Sequence, residues 1–484
     1  MKTDIVVIGA GISGLVASSL LAKRGFDVVL IEKEPFVGGY VRSFKRDGFI
    51  FDAACSFVGG VKEGEELNLI IRELNGEEKI KWLPLKSIRN ILPDLSIDLD
   101  TWDFEDYIHR LIKLFPLEKA SLLSYLKLIE KTGIELKRIR DISIIKRLFF
   151  PLFFPKLMKL FRATHGQVLN RFFKDEKLKL ALSCLPVTLP PSKLSFLFVA
   201  TLTSKVIAKG VYYPKGGMKS ISEYFEKRLK NFAGKILTSH EVTNISLDKD
   251  IFKVKTKNEK TIFSRSVISA INPWQLSKIL NYPFGLSLKK LTPSLSAFLV
   301  YLGIDSKLLS SDIPSFSYIR SDIGPEEEYR LNLSGNIAKK PTVIVNIPSL
   351  LDKKIAPEGK AILRIMTIVP YHYKKGWGEK EKEEIKKRVI DRVKEKLLPS
   401  IFDRIELSIV ATPLTLERYT YNQDGAIYGL CATPNQIGPK RPSNKTKIDG
   451  LFLAGHYTRP AHGIVGAALS GKFAANLAQR WLKR

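Results

Sequence analysis

Short unbroken apolar runs punctuate the chain, and each ends at a glycine or an acid. Ile5 to Ile8 stops at Gly9, Val28 to Ile31 stops at Glu32, and Leu451 to Ala454 stops at Gly455. Runs of four apolar residues without alternation predict parallel strands covered on both faces. Between the first two runs, about Ser13 to Lys23 reads as a helix closed by Gly25, which predicts a β-α-β unit at the start of the chain. Further strands are predicted at Lys235 to Leu237, Glu241-Val242, Leu295 to Gly303, Thr342 to Ile347 and Ala361 to Val369. Pro116 suits the first position of a helix in which Leu122, Leu126 and Ile129 share one face. From about Glu379 to Leu398 Lys and Glu are closely mixed, which predicts a helix with a solvated outer face.

The first unit carries chemistry. Gly9, Gly11 and Gly14 stand at G-x-G-x-x-G spacing directly after the strand. Gly9 makes the tight turn, Gly11 admits a pyrophosphate to the backbone, and Gly14 lets the helix pack closely. The helix then directs free N–H groups and its positive dipole end at the phosphates. Glu32 lies 18 residues beyond Gly14, where a carboxylate accepts ribose hydroxyls and repels the 2′-phosphate of NADP. Asp4 and the interleaved glycines argue against reading this stretch as a signal peptide. The last apolar run leads through Gly455 and His456 to the glycine-rich start Gly463-Ile464-Val465, a second place where helix amides can meet a cofactor.

The 484 residues correspond to roughly three domain lengths. No apolar run is long enough to span a bilayer. Cys55, Cys184 and Cys431 are widely separated, which predicts a reduced, cytoplasmic-side protein with neither disulfide framework nor metal site. The formal charge is +29, and between Lys131 and Leu180 there are 13 Lys or Arg against 4 Asp or Glu, a net charge of +9. Phe149, Phe150, Phe153, Phe154, Phe161, Phe172 and Phe173 are interleaved with these cations, as are several leucines, and Pro151 and Pro155 divide the stretch. Cations beside aromatics suit an element lying in the headgroup layer of a membrane, so peripheral membrane association is expected. The competing reading is a solvated helical face over an internal core. The dispersed charge and the lack of a recognised module argue against nucleic acid as a partner.

Larger motifs surround these runs: Gly38-Gly39-Tyr40-Val41-Arg42-Ser43, Gly48-Phe49-Ile50-Phe51-Asp52, Tyr213-Pro-Lys-Gly-Gly-Met218, Val267 to Pro273, Ser296 to Gly303, Glu417-Arg418-Tyr419 and Gly425 to Gly429. With the two ends of the chain, this layout resembles FAD-dependent oxidoreductases of the glutathione-reductase superfold. More narrowly it resembles the phytoene desaturase and carotenoid isomerase family, which includes the retinol saturases. The resemblance departs at Ala54, where relatives usually have glycine, and at His456, a position that varies among subgroups.

The resemblance implies an α/β fold with a Rossmann-like FAD-binding domain from residues 1–75, 210–290 and 420–484. A substrate- and membrane-facing domain with a mixed sheet and helices is then expected from 76–209 and 291–419. FAD is expected against Gly9, Gly11, Ser13, Gly14, Glu32, Lys33, Gly38, Gly39, Arg42, Val242, Gly455, Gly463, Ile464 and Val465. The implied substrate is a lipophilic polyene or isoprenoid, subject to desaturation, saturation or cis–trans isomerisation. No spacing designates a catalytic base; His456, with His462 beside it, is the candidate for proton transfer or flavin tuning. An amine oxidase on a soluble substrate and a non-enzymatic flavoprotein are the alternatives.

Overall fold

A strand with no polar face is satisfied only between two layers, and Ile5, Val6 and Val7 in the first strand, Lys2–Ile8, have no exposed surface. The computed structural model describes residues 1–75, 80–100, 104–140, 155–183, 188–205 and 207–484. It places Lys2–Ile8 parallel to Val28–Ile31 on one side and to Thr261–Ser269 on the other. Lys235–Leu237 and Leu451–Leu453 extend the parallel set to five strands, and Val242–Asp248 and Ile251–Thr256 add an antiparallel edge. Helix Ile12–Lys23 is buried over almost its whole length, between the sheet and helices Lys219–Asn231 and Gly463–Leu482.

A second sheet runs in the order Ile405–Ala411, Ser296–Asp305, Lys360–Val369, Val343–Asn346, Phe316–Ile319, Ser87–Ile91, Ser96–Asp100. It is mixed, because Phe316–Ile319 pairs in parallel with Ser87–Ile91 while its other pairings are antiparallel. The helix of mixed Lys and Glu, Glu379–Lys396, is solvated on one face only. Ile385, Val389, Ile390 and Val393 are buried on this sheet, and the outer face carries pairs such as Lys387–Asp391 and Arg388–Glu384. Outside both sheets, Val211–Pro214 pairs antiparallel with Trp82–Leu85.

Pro116 opens a short 3-10 turn, Pro116–Glu118, and the long helix begins one residue later, at Lys119–Arg140. Its Leu122, Tyr125 and Ile129 join Leu111, Phe173 and Phe196 in a core internal to the helical segment. The aromatics of the basic segment therefore turn inward where they are described. Phe173 is buried, Phe172 packs on the same core, and Phe161 packs in a neighbouring cluster. The expectation of aromatics facing lipid is corrected for these three: Phe172 and Phe173 have a helical core of their own, and Phe161 packs in the cluster of Leu157 and Leu197 at a cavity wall. Phe149, Phe150, Phe153, Phe154 and Cys184 lie outside the described residues. No helix among the described residues is long and apolar enough to cross a membrane.

Candidate functional site

The fingerprint turn is built by close approach. Gly9 leaves the strand with φ of 97° and donates its N–H to Ile31 O at 2.8 Å, tying the turn to the neighbouring strand. A Cβ on Gly14 would fall 1.9 Å from Gly9 O, so the helix rests directly on the turn. At Gly11 the same position meets no atom within 4 Å, leaving an open cradle at the helix N-terminus. Glu32 closes the cradle: its carboxylate accepts Ala10 N at 2.8 Å and Glu34 N at 3.0 Å. Burial pushes its pKa up, against the lowering pull of these two amides.

The cradle opens into a cavity of about 1300 Å³. Gly9, Gly11, Ser13, Glu32, Lys33, Gly38, Gly39, Arg42, Val242, Gly455, His456, Gly463, Ile464 and Val465 all stand on its wall. Gly14 lies behind the wall as a packing residue. Arg42 has its guanidinium 4.0 Å from the Phe36 ring centre and 4.6 Å from that of Tyr419, an aromatic clamp that fixes the fork at the cavity edge. Lys33 is engaged within the wall, over the Tyr421 ring and on Arg418 O. Beyond the glycine-rich end the cavity turns apolar. Phe57, Phe316 and Met366 line it from one side, and Phe161, Leu197 and Phe198 from the helical segment.

Asp52 joins the motifs around this wall. Its buried carboxylate accepts Ser43 Oγ, Tyr213 OH and Met218 N, each at 2.7 Å. Arg364 from the second sheet donates to the backbone oxygens of Asp52 and Cys55. The Tyr-Pro-Lys-Gly-Gly-Met stretch and the Phe-Asp pair are thus two halves of one clasp.

His456 Nε2 sits 3.4 Å from Asn422 Oδ1, and its ring meets Tyr457 edge-on at 4.6 Å. Burial, helped by Arg441, pulls its pKa down to about 3. His462 lies between Phe198 and Tyr428, with ring centres 4.7 and 5.0 Å away, and burial holds its pKa far down as well. Burial thus favours the neutral imidazole at both positions, and a negative charge at the cavity would act in the opposite sense. Spacing did not reveal Asn422 or Arg441, both on the cavity wall, while Tyr40 and Tyr428 stand inside the motifs at Gly38 and Gly425 without having been singled out. A lone residue between motifs carries no period, and the stretches Glu417-Arg418-Tyr419 and Gly425 to Gly429 pointed toward this region by resemblance alone.

The open cradle, the ribose-side acid and a cavity that runs on to the glycine-rich start at Gly463 fit FAD. The family model of flavin containing amine oxidoreductases matches residues 12–478. Prolycopene isomerase 1, chloroplastic, of an Oncidium hybrid cultivar is 30% identical over 98% of this chain and 83% of that protein. The zeta-carotene-forming phytoene desaturase of Myxococcus xanthus is 25% identical over 99% of this chain and 94% of that protein. In fold, cyclohexylamine oxidase from Brevibacterium oxydans superposes with a TM-score of 0.66, at 16% identity over all of both chains. The chain belongs to the flavin containing amine oxidoreductase family and is an FAD-dependent oxidoreductase of the phytoene desaturase-like kind.

Proposed function

We propose that the chain forms, reduces or isomerises carbon–carbon double bonds of a long lipophilic polyene or isoprenoid, by desaturation, saturation or cis–trans isomerisation, at a membrane surface. The observation that carries this reading is the apolar arm of the cavity, continuous with the FAD cradle and walled by Phe57, Phe161, Leu197, Phe198, Phe316 and Met366. Relatives named for carotenoid isomerisation and desaturation support it. Bound FAD supplies hydride exchange at the isoalloxazine ring. The protein's own tasks are to hold the cofactor and keep water out. Gly9, Gly11, Ser13, Gly38, Gly39 and Arg42 hold the pyrophosphate region, with Gly14 beneath them. Glu32 and Lys33 would flank the ribose, and the backbone of Val242 would meet the adenine. Gly455, Gly463, Ile464 and Val465 would stand at the ring, with His456 on the same wall. No proton-transfer step is assigned to a residue.

Membrane contact is supported by a corner of the helical segment. Leu114, Leu117 and Leu123 are 44%, 99% and 48% exposed, and Lys113, Lys119 and Lys127 stand exposed among them. Apolar side chains ringed by cations suit an anionic lipid surface. The helix that begins at this corner, Lys119–Arg140, carries Leu136 on the cavity wall about five turns further on. Free Cys55 and Cys431 are in keeping with a peripheral protein on the cytoplasmic side.

The test is the FAD-loaded protein incubated with polyenes carried in liposomes, with products separated and weighed by mass spectrometry. A changed double-bond geometry at unchanged mass identifies isomerisation; hydrogens lost or gained in pairs identify desaturation or saturation. Oxidation of primary amines with release of hydrogen peroxide, and no change in any polyene, would overturn the proposal in favour of amine oxidation.

A further inference from the structure

Arg441 is 1% exposed, lines the FAD cavity, and is held by carbonyl oxygens alone. Its Nε donates to Thr458 O at 2.8 Å, Nη1 to Gln436 O at 3.2 Å, and Nη2 to His456 O. Other deeply buried arginines are compensated. Arg392 pairs with Asp322 and Glu395, and Arg364 lies in the field of the Asp52 carboxylate. Burial pulls Arg441 itself down to about 10, and among the described residues the acidic groups acting on it are Tyr457 and Cys431. Burial pushes both of these up, so they are neutral at physiological pH. His456 and His462, the nearest bases on the wall, are neutral too. The carbonyls take three of the five guanidinium hydrogens and leave its charge whole. Such a buried cation is costly unless an anion completes it.

We propose that the cofactor completes it: Arg441 is an electrostatic residue that stabilises the negative charge of the reduced isoalloxazine. The inference rests on the placement of the loop from Gly455 to Gly463 at the flavin ring. Uptake of two electrons and one proton turns the neutral oxidised ring into a monoanion. A fixed cation in a water-poor wall favours that product without any reorganisation. The loop Arg441 grips, His456 to Thr458, leads directly to the glycine-rich helix start, so charge and loop position are set by one side chain. The pyrophosphate, the other anionic part of FAD, has separate donors at the Gly11 cradle and the clamped Arg42.

The experiment is reductive titration of the FAD-loaded protein against a reference dye, for wild type, Arg441→Gln and Arg441→Lys, with flavin content measured first. In Arg441→Gln the ratio of reduced to oxidised flavin at a fixed poise should fall at least tenfold, about 30 mV for a two-electron couple. Arg441→Lys, which keeps the charge and loses the fork, should restore most of that ratio. A Gln variant that binds FAD and keeps the wild-type ratio overturns the inference. So does a Lys variant as impaired as Gln, which would make the fork's geometry the cause. Loss of FAD affinity at unchanged potential would assign the charge to the pyrophosphate and overturn it as well. Should the Gln variant fail to fold, wild type alone decides: its potential should change with pH by one proton per two electrons from mildly acid to neutral pH, and two protons would overturn the proposal. Failure of the cofactor reading itself is distinct, because wild type would then carry no flavin.

Discussion

Glu32 accepts the amides of Ala10 and Glu34 from either side of a strand end and faces the cavity with its remaining lone pairs. Glu32→Ala should weaken FAD binding by about 1.5–3 kcal/mol, since two buried amides and the ribose lose one charged acceptor; fluorescence titration of the apoprotein with FAD measures it. This residue was legible in the sequence because its distance from the glycines is set by one helix and one strand. Arg441 and Asn422 were not, because a buried polar residue in an irregular loop acquires its role only when distant segments meet. Buried histidines give a second expectation. His456 and His165 have pKa values pulled down by burial to about 3, against an ordinary 6.5. Below pH 6.5 the unfolded chain binds protons that the folded protein refuses. The stability they contribute is therefore complete above pH 6.5 and is lost as pH falls toward 3. His165 contacts Tyr125 OH at 2.9 Å and lies in the helical core, away from the cofactor. His165→Gln can keep that bond without taking a proton. Its urea midpoint should fall less between pH 7 and pH 5 than that of wild type, about 25 °C being a suitable temperature.

Helix starts show how one residue type serves two ends. Gly14→Ala sets a methyl 1.9 Å from a carbonyl oxygen in a buried turn, so helix Ile12–Lys23 must lift from the sheet. The expected outcome is loss of soluble folded protein, read by expression and circular dichroism. Gly463 differs: its φ is 79°, yet a Cβ there meets nothing within 4 Å. Gly463→Val should keep the helical signal, at a strain of about 1–2 kcal/mol, and lose flavin occupancy, read as the absorbance ratio of flavin to protein. The strands were legible at this scale because runs covered on both faces have no other solution. Phe172 and Phe173 of the basic segment do not take the lipid-facing place expected of them. Phe172 and Phe173 sit among cations in sequence, but helices Lys119–Arg140 and Phe196–Lys205 supply them with an internal core. Which face of a helix is dry depends on its neighbours, and a sequence window does not contain them.

At the scale of the whole molecule, charge and exposed leucine coincide at the corner bearing Leu114, Leu117 and Leu123. Replacing all three by Ser should lower sedimentation with anionic vesicles and leave flavin content unchanged. Wild-type binding should weaken with added salt as the Lys113, Lys119 and Lys127 contribution is screened. The interleaving of the two sheets bears on how the protein is made. The parallel strands of the FAD sheet come from residues 2–8, 28–31, 235–237, 261–269 and 451–453, and the first helix packs on the last, Gly463–Leu482. On the ribosome, at about 5–20 residues per second, Lys2–Ile8 waits roughly 20–90 s for its sheet to be completed. Through that interval its apolar flanks lack their covering layer, and no FAD can reinforce them because half the cofactor wall has not been synthesised. Messages truncated before Gly463 should therefore yield sticky apoprotein instead of a smaller flavoprotein, and cellular yield should depend on chaperones that shield the early strands until the last helix arrives.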